Sequence, residues 1–515
     1  MTTPPPSTNP RPDGLFGPVL GLGLLAAVAP LWLVDYLPLV DLPQHAAQVA
    51  TWHRWAEPPP VGGLDVRALL EINLRTPYLL SRLLAYGLAF LVPVLDAYRV
   101  LLSFTVVGIP LAVLLLLRRT GGSPWWALAT LPLGYGYAFY WGFIAYGLAV
   151  PLGLVYLAFV LDCARAPSRR RMLGLWLATQ LLFFAHVFVF GWAGLMAAAV
   201  LGLHVFARPV DASGSGAVWA ARARGLATAW GPLLAALPLP LVWIAATRSA
   251  EAQVSGRLLG AWDIERLAQA FRFLVAGEHA DPTATLLGLA LFGVPLVLGA
   301  RPSRRLARWA PCALSLLVYL AAPMEAFGTA FIYPRFAVFL LPTWLMALEP
   351  RRPPDRRVGL LVALVAVALF DVGMRLQRFD DEVGAFDRAV ATMEPGRRVL
   401  YCALDPTSQH VGSAAYLHFG VWYQVEKGGL VEFSFAHFFP NLLRYQAGAE
   451  PPLPKDFDWG CWRFDYAAHG GAHYDYFLVR SLRHDPYGIL FSEALDRVEP
   501  VAQFDGGWFL YRQRG

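Results

Sequence analysis

Charge is scarce in this chain. Of 515 residues only 15% are Asp, Glu, Lys or Arg, while 57% are hydrophobic and the mean hydropathy is +0.47. That balance excludes a water-soluble protein of this length and points to a polytopic membrane protein. Lysine is almost missing. Lys427 and Lys455 are the only two, so the formal net charge of +6 is carried by arginine. Arginine gathered in short loops between apolar runs reports membrane sidedness and does not indicate a nucleic-acid surface, so no nucleic-acid partner is expected. The four cysteines, at 163, 312, 402 and 461, show no CxxC or Cys/His spacing. This argues against a structural zinc site or a redox motif. A glycine-rich phosphate loop is also missing, and with it the expectation of a soluble nucleotide cofactor. No internal repeat is visible.

What is present is a series of long uncharged runs. A helix needs about 20 apolar residues to cross the hydrocarbon core. The runs at 15–34, 100–117, 225–247, 282–300, 309–324, 326–348 and 358–374 each read as one pass. The longer stretches 124–161, joined near Gly142, and 172–207 each read as two, for a total of about eleven. The first run is too long for a signal-peptide core and reads as a signal anchor behind a proline-rich cytoplasmic tail at 1–14. With the N-terminus inside, the arginine clusters at 118–119, 164–171, 208–224, 301–308 and 351–357 all fall on the cytoplasmic side. The segment 77–95 carries Arg82 and would break that parity if it crossed, so it reads as interfacial or re-entrant.

The fold class expected is therefore a polytopic α-helical membrane protein with a C-terminal α/β domain outside the cytoplasm. Residues 15–376 form the multi-pass body with an external loop at 35–99, and residues 377–515 form the outer domain. The pattern in that domain predicts a helix at 381–393 and strands at 397–404, 430–434 and 475–480, with a hairpin at 499–512 around Asp505-Gly506-Gly507. The external loop 248–281, with Glu251, Asp263, Glu265, Glu278, His279 and Asp281, reads mainly as a solvated face. Histidines 410, 418, 437, 469, 473 and 484 show no metal-ligand spacing. Cys402 and Cys461 share the oxidising compartment, where a disulfide and two reduced thiols are both open.

An ionisable group at membrane depth costs about 2.5–3.5 kcal/mol on insertion scales, so each one needs a reason. Two places stand out. The first is VDLPQHAAQ at 40–48, at the outer mouth of the first pass. If Asp41 precedes a helix starting at Leu42, then Asp41, His45, Gln48 and Trp52 share one face. Asp41 then reads either as a simple helix N-cap or as a catalytic base assisted by His45. The second is YPRF at 333–336, where Arg335 reads either as an interfacial snorkelling residue or as a phosphate-binding group beside Tyr333. His186, within LLFFAHVFVFGW, is a weaker candidate for the substrate-binding set that Gln48, Tyr333 and Arg335 make up.

With these residues in place, the chain resembles the GT-C membrane glycosyltransferases, the group of the protein O-mannosyltransferases and the aminoarabinose transferases of lipid A. The resemblance spans the architecture of nearly the whole chain and rests at motif level on VDLPQHAAQ and YPRF. It implies transfer of a sugar from a polyprenyl-phosphate donor to a lipid, glycan or protein acceptor at the outer face of the bacterial inner membrane. In that reading Asp41 matches the family's catalytic carboxylate and Arg335 the basic residue facing the donor phosphate. Many members carry two adjacent acidic residues in the first loop, whereas here Asp41 is followed by Leu42. No metal ligands are assigned and a divalent ion is left open. The rival readings are a transporter or flippase of lipid-linked sugars and a non-catalytic envelope scaffold.

Overall fold

The apolar runs become helices because a segment without water around it must satisfy its backbone internally. The computed structural model describes residues 14–210, 214–248, 264–277, 281–326, 329–349, 357–438, 440–454 and 456–514. Among the described residues, Val94–Thr120, Ile144–Arg165, Val187–Ala207 and the stretch Val358–Thr392 are long and apolar enough to cross a bilayer alone. Ser215–Leu234 and Pro238–Ala246, bent by 43°, make a fifth span if taken as one. Shorter apolar helices at Phe16–Leu31, Leu79–Leu88, Pro282–Val297, Ala310–Ala321 and Ile332–Met346 fill out the body. This is a multi-pass helical membrane protein.

Small residues set how closely these helices approach. A Cβ on Gly108 would lie 2.9 Å from the Pro151 ring, and one on Gly153 would lie 2.7 Å from Val189. The first glycine admits Pro151 of the 144–165 helix against the 94–120 helix, as expected where dispersion and not hydrophobicity drives association. The 94–120 helix ends in Arg118 and Arg119 with Gly121 left-handed at φ 74°, a helix stop written in the sequence.

Two apolar runs depart from the single or paired spans expected of them. In 124–161 the first half is a 3₁₀ segment, Pro124–Tyr135, with Pro124 and Pro132 removing backbone donors. A short helix, Tyr137–Tyr140, and a turn with Gly142 at φ 75° then lead into Ile144–Arg165. The run 326–348 is not one helix. It opens with a hairpin, Glu325–Ala326 against Thr329–Ala330, continues through Ile332–Arg335 and the 3₁₀ turn Phe336–Phe339, and ends in Leu340–Met346. Pro334 lies in this interrupted part, and Phe331 stands in the left-handed region at φ 60°.

The helix expected at 381–393 is also corrected. The last long helix runs on from Val358 to Val383, past the point where charge rises, and stops at Gly384 (φ 65°). A Cβ there would lie 2.8 Å from the Asp505 carbonyl oxygen. Helix resumes at Phe386–Thr392. The strands follow the expected pattern. They form a five-stranded sheet in the order Leu430–Glu432, Arg398–Ala403, Tyr476–Arg480, Trp508–Gln513, Val498–Phe504. The first three strands are parallel and the last two antiparallel. Cys402 and Cys461 form a disulfide, which ties the Arg398–Ala403 strand to the 457–463 segment.

The sheet does not stand apart from the helices. One hydrophobic cluster runs from Phe16 to Leu510. A second tie is the antiparallel pairing of Leu70–Ile72 with Leu443–Tyr445, which joins the 35–99 loop to the C-terminal region. Of the loop 248–281, Glu251, Asp263, Glu278 and His279 lie outside the described residues. Asp281 is more than part of a solvated face: it caps the 282–297 helix through the Ala284 N–H and pairs with Arg375 at 2.6 Å.

Candidate active site

The site is assembled where the 35–99 loop, the 140–143 turn and the C-terminal region meet. Residues 40 and 41 run alongside that turn, with Val40 N–H donating to the Tyr140 carbonyl (3.0 Å) and Asp41 N–H to the Trp141 carbonyl (3.1 Å). A Cβ on Gly142 would lie 2.9 Å from both the Asp41 and Leu42 nitrogens, so only glycine permits this approach. The helix Leu42–His53 begins next, with Pro43 in its first turn. Asp41 occupies the N-cap position, but its backbone is helical and its carboxylate makes no capping hydrogen bond. The capping reading is thereby corrected. The carboxylate is turned elsewhere.

It faces His418. Asp41 Oδ1 lies 3.7 Å from His418 Nε2, and the same nitrogen lies 3.9 Å from Asp458 Oδ2. The three side chains are 14%, 4% and 10% exposed, respectively. Burial pushes the Asp41 carboxyl up to about 7, against the lowering effect of Arg335 and Arg82 and with a further raising effect from Asp458. Burial likewise raises Asp458 to about 6 and lowers His418 to about 3. At neutral pH the imidazole is uncharged. The group is therefore two carboxyls raised into the range of about 6 to 7, separated by a neutral ring, and not an ion pair.

The other candidates are drawn in different directions. His45, one turn along the 42–53 helix, does not meet Asp41. Its Nδ1 accepts from Arg82 Nη2 (2.6 Å), and Arg82 Nη1 donates to Tyr98 Oη (3.3 Å), which in turn donates to the His45 carbonyl (2.9 Å). An arginine only donates, so Nδ1 is unprotonated and His45 neutral. Burial, Arg82 and His418 all hold it well below its ordinary range. Gln48 Oε1 accepts from the Leu442 N–H (3.0 Å), and Gln44 bonds the backbone of Phe433 and Phe435. This polar edge of the helix is thus the seam with the C-terminal region. The expected shared face of Asp41, His45, Gln48 and Trp52 divides among separate partners, Trp52 stacking on Tyr86 at 3.9 Å.

Arg335 is 8% exposed. Its Nε donates to the Phe331 carbonyl (2.9 Å) and its Nη2 to the Ala330 carbonyl (3.0 Å), two acceptors left over by the interrupted helix. The guanidinium lies 3.7 Å from the centre of the Phe143 ring. Its immersion in protein contacts sets aside the snorkelling reading. Arg335, Phe143 and Tyr146 line a largely apolar cavity with Leu102, Ile109 and Val338. Asp41 lies just beyond the Trp141–Phe143 turn from this cavity and feels the Arg335 charge. Tyr333 bonds Gln269 (2.6 Å) beneath the Arg266 guanidinium. His186 accepts from the Phe188 N–H at the start of the 187–207 helix and packs against Tyr146, whose hydroxyl donates to the Arg335 carbonyl (2.6 Å). Among the described residues, no group of three or more His, Cys, Asp or Glu side chains converges as a metal centre.

Sequence reasoning did not single out His418, and it passed over Asp458, Trp141 and Trp459. His418 stood among six outer histidines with nothing in its spacing to separate it. For Asp458 the available signal was FDWGCW at 457–462, an acid between aromatics and close to a cysteine.

This architecture is that of a multi-pass helical membrane body joined to a five-stranded mixed sheet. No protein-family profile matches the chain, and no curated protein matches it. Solved structures do. ArnT from Cupriavidus metallidurans bound to undecaprenyl phosphate aligns over 97% of this chain and 98% of its own, at 11% identity and a TM-score of 0.50. The mycobacterial arabinofuranosyltransferase AftD aligns over 96% of this chain at 13% identity and a TM-score of 0.48, and this chain spans 40% of its length. The Archaeoglobus fulgidus oligosaccharyltransferase aligns at 12% identity and a TM-score of 0.42, covering 96% of this chain and 73% of its own. The chain has a GT-C-like fold.

Proposed function

We propose that the protein is a GT-C-type glycosyltransferase that moves a sugar from a polyprenyl-phosphate donor to an acceptor at the outer face of the bacterial inner membrane, with the C-terminal sheet on that outer side. The observation that carries this reading is the uncapped, buried Asp41 carboxylate, placed beside an arginine-lined cavity in a GT-C-like fold. The likeness to an ArnT structure holding undecaprenyl phosphate supports a lipid-linked donor.

In the step proposed, the acceptor hydroxyl loses its proton to an Asp41 oxygen as its own oxygen bonds the anomeric carbon. The bond from that carbon to the phosphate oxygen breaks, and the electron pair leaves with the phosphate. Positioned bases of this kind contribute about 10²–10⁴-fold. Arg335 supplies the positive field for the departing phosphate from the cavity side. Arg82, held by His45 and Tyr98, adds a second positive charge that draws the Asp41 carboxyl towards its ionised form. His45 is thus a positioning residue for Arg82.

Asp41→Asn tests the reading. Turnover falls by about 10²–10⁴-fold, while expression and binding of undecaprenyl phosphate in nanodiscs stay unchanged. Normal sugar transfer by the variant overturns the assignment.

A further inference from the structure

Large apolar side chains left exposed on an ordered segment call for an explanation. Trp459 is 53% exposed and Trp462 67%, although the segment between them is firmly held. It consists of two 3₁₀ turns, Phe457–Trp459 and Cys461–Arg463. Phe457 is fully buried on one side, and Cys461 is bonded to Cys402 of the Arg398–Ala403 strand on the other. The anchors fix the backbone and leave the Trp459 indole facing outward. Asp458, the residue before it, is the carboxylate that shares His418 with Asp41.

The Trp459 ring lies 6.4 Å from that of Trp141, tilted by 44°. Trp141 is 4% exposed, its carbonyl accepts from the Asp41 N–H, and its buried indole N–H has no acceptor among the described residues. One exposed aromatic plate, one unsatisfied indole donor and the Asp458 carboxyl therefore adjoin the residue proposed as the base.

A sugar ring fits this set of groups. It has a face of C–H bonds that packs on an indole, and a rim of hydroxyls that donate to carboxylates and accept from an N–H. A phosphorylated lipid acceptor fits poorly, because Arg463, the cation of this segment, is paired with Asp456 at 3.0 Å. We infer that the acceptor of the proposed transfer is a carbohydrate, and that Trp459 is the platform on which its ring stacks before the Asp41 carboxyl. The inference rests on the transferase reading and narrows its acceptor class.

The test uses the full chain in nanodiscs and saturation-transfer NMR with maltotriose, mannotriose and an arabinofuranotriose, beside a Ser/Thr-containing hexapeptide. At least one trisaccharide binds through its ring C–H protons. Trp459→Ala weakens that binding by about tenfold, and Trp459→Phe keeps it within about threefold. Undecaprenyl phosphate binding, unchanged in both variants, shows that they are folded. The inference is overturned if no trisaccharide binds to protein that binds the lipid phosphate, if Trp459→Ala binds as well as the parent, or if only the peptide depends on Trp459. Saccharide binding without any lipid-phosphate binding leaves the platform standing and defeats the transferase reading instead.

Discussion

Asp41 and His418, far apart along the chain, face each other at 3.7 Å across the seam between the 35–99 loop and the C-terminal region. Burial holds the imidazole neutral and raises the carboxyl to about 7, so the contact is a place where a proton is held and not a fixed ion pair.

A base must be ionised to act. Sugar transfer should therefore rise with pH through an inflection near 7, measured as a pH–rate profile in nanodiscs. The stability dependence has the opposite sign. With its folded pKa raised above the ordinary carboxylate value of 3.8, Asp41 takes up a proton on folding, and its contribution is fully present below about 4. It is lost as pH rises to about 7. Thermal unfolding followed across that window should show a shallower decline in Asp41→Asn than in the parent.

His418→Ala removes the ring that separates Asp41 from Asp458. The two carboxyls then act on each other more directly, and the like-charge effect disfavours the ionised form of Asp41. The inflection in the pH–rate profile moves up accordingly. A profile that merely drops in height, with no shift, would assign His418 a packing role alone.

Arg335→Ala leaves the Ala330 and Phe331 carbonyls without their donors and takes away the positive field at the cavity. Undecaprenyl phosphate binding should weaken by about tenfold or more, read by competition with a labelled lipid phosphate. Arg335→Lys should not restore it, because a point charge cannot reproduce a fork that bonds two carbonyls at once.

Gly142→Ala places a Cβ against the Asp41 and Leu42 nitrogens in a backbone at φ 75°. The strain should cost about 1–3 kcal/mol. A lowered melting temperature by fluorescence-detected size exclusion, together with reduced turnover, is the expected pair of results. An unaltered melting temperature would show that the turn yields without strain.

The helical body was legible because the bilayer imposes a length and a composition on anything that crosses it. The 94–120 helix shows its stop in Arg118, Arg119 and Gly121, and the sheet strands showed as short runs rich in apolar and aromatic residues, two of them flanking the Asp505-Gly506-Gly507 turn. The 326–348 run was harder to read. Its proline is visible, but mean apolarity alone does not tell a span from a broken segment packed inside protein. The helix at 358–383 likewise outran its apolar part, since backbone hydrogen bonding continues after hydrophobicity ends.

Asp41 drew notice because a carboxylate beside a membrane run is costly wherever it points. Its sequence neighbour His45 drew the same notice, but geometry gave it to Arg82. By itself the sequence determined a chain that must enter a membrane, the approximate places where it turns, and one acidic residue that needed a partner. Only the tertiary structure decided that the partner is His418, with Asp458 behind it. Those contacts are made by folding a distant segment onto the 42–53 helix, through Gln44, Gln48 and the 70–72 strand, and no local spacing rule encodes them.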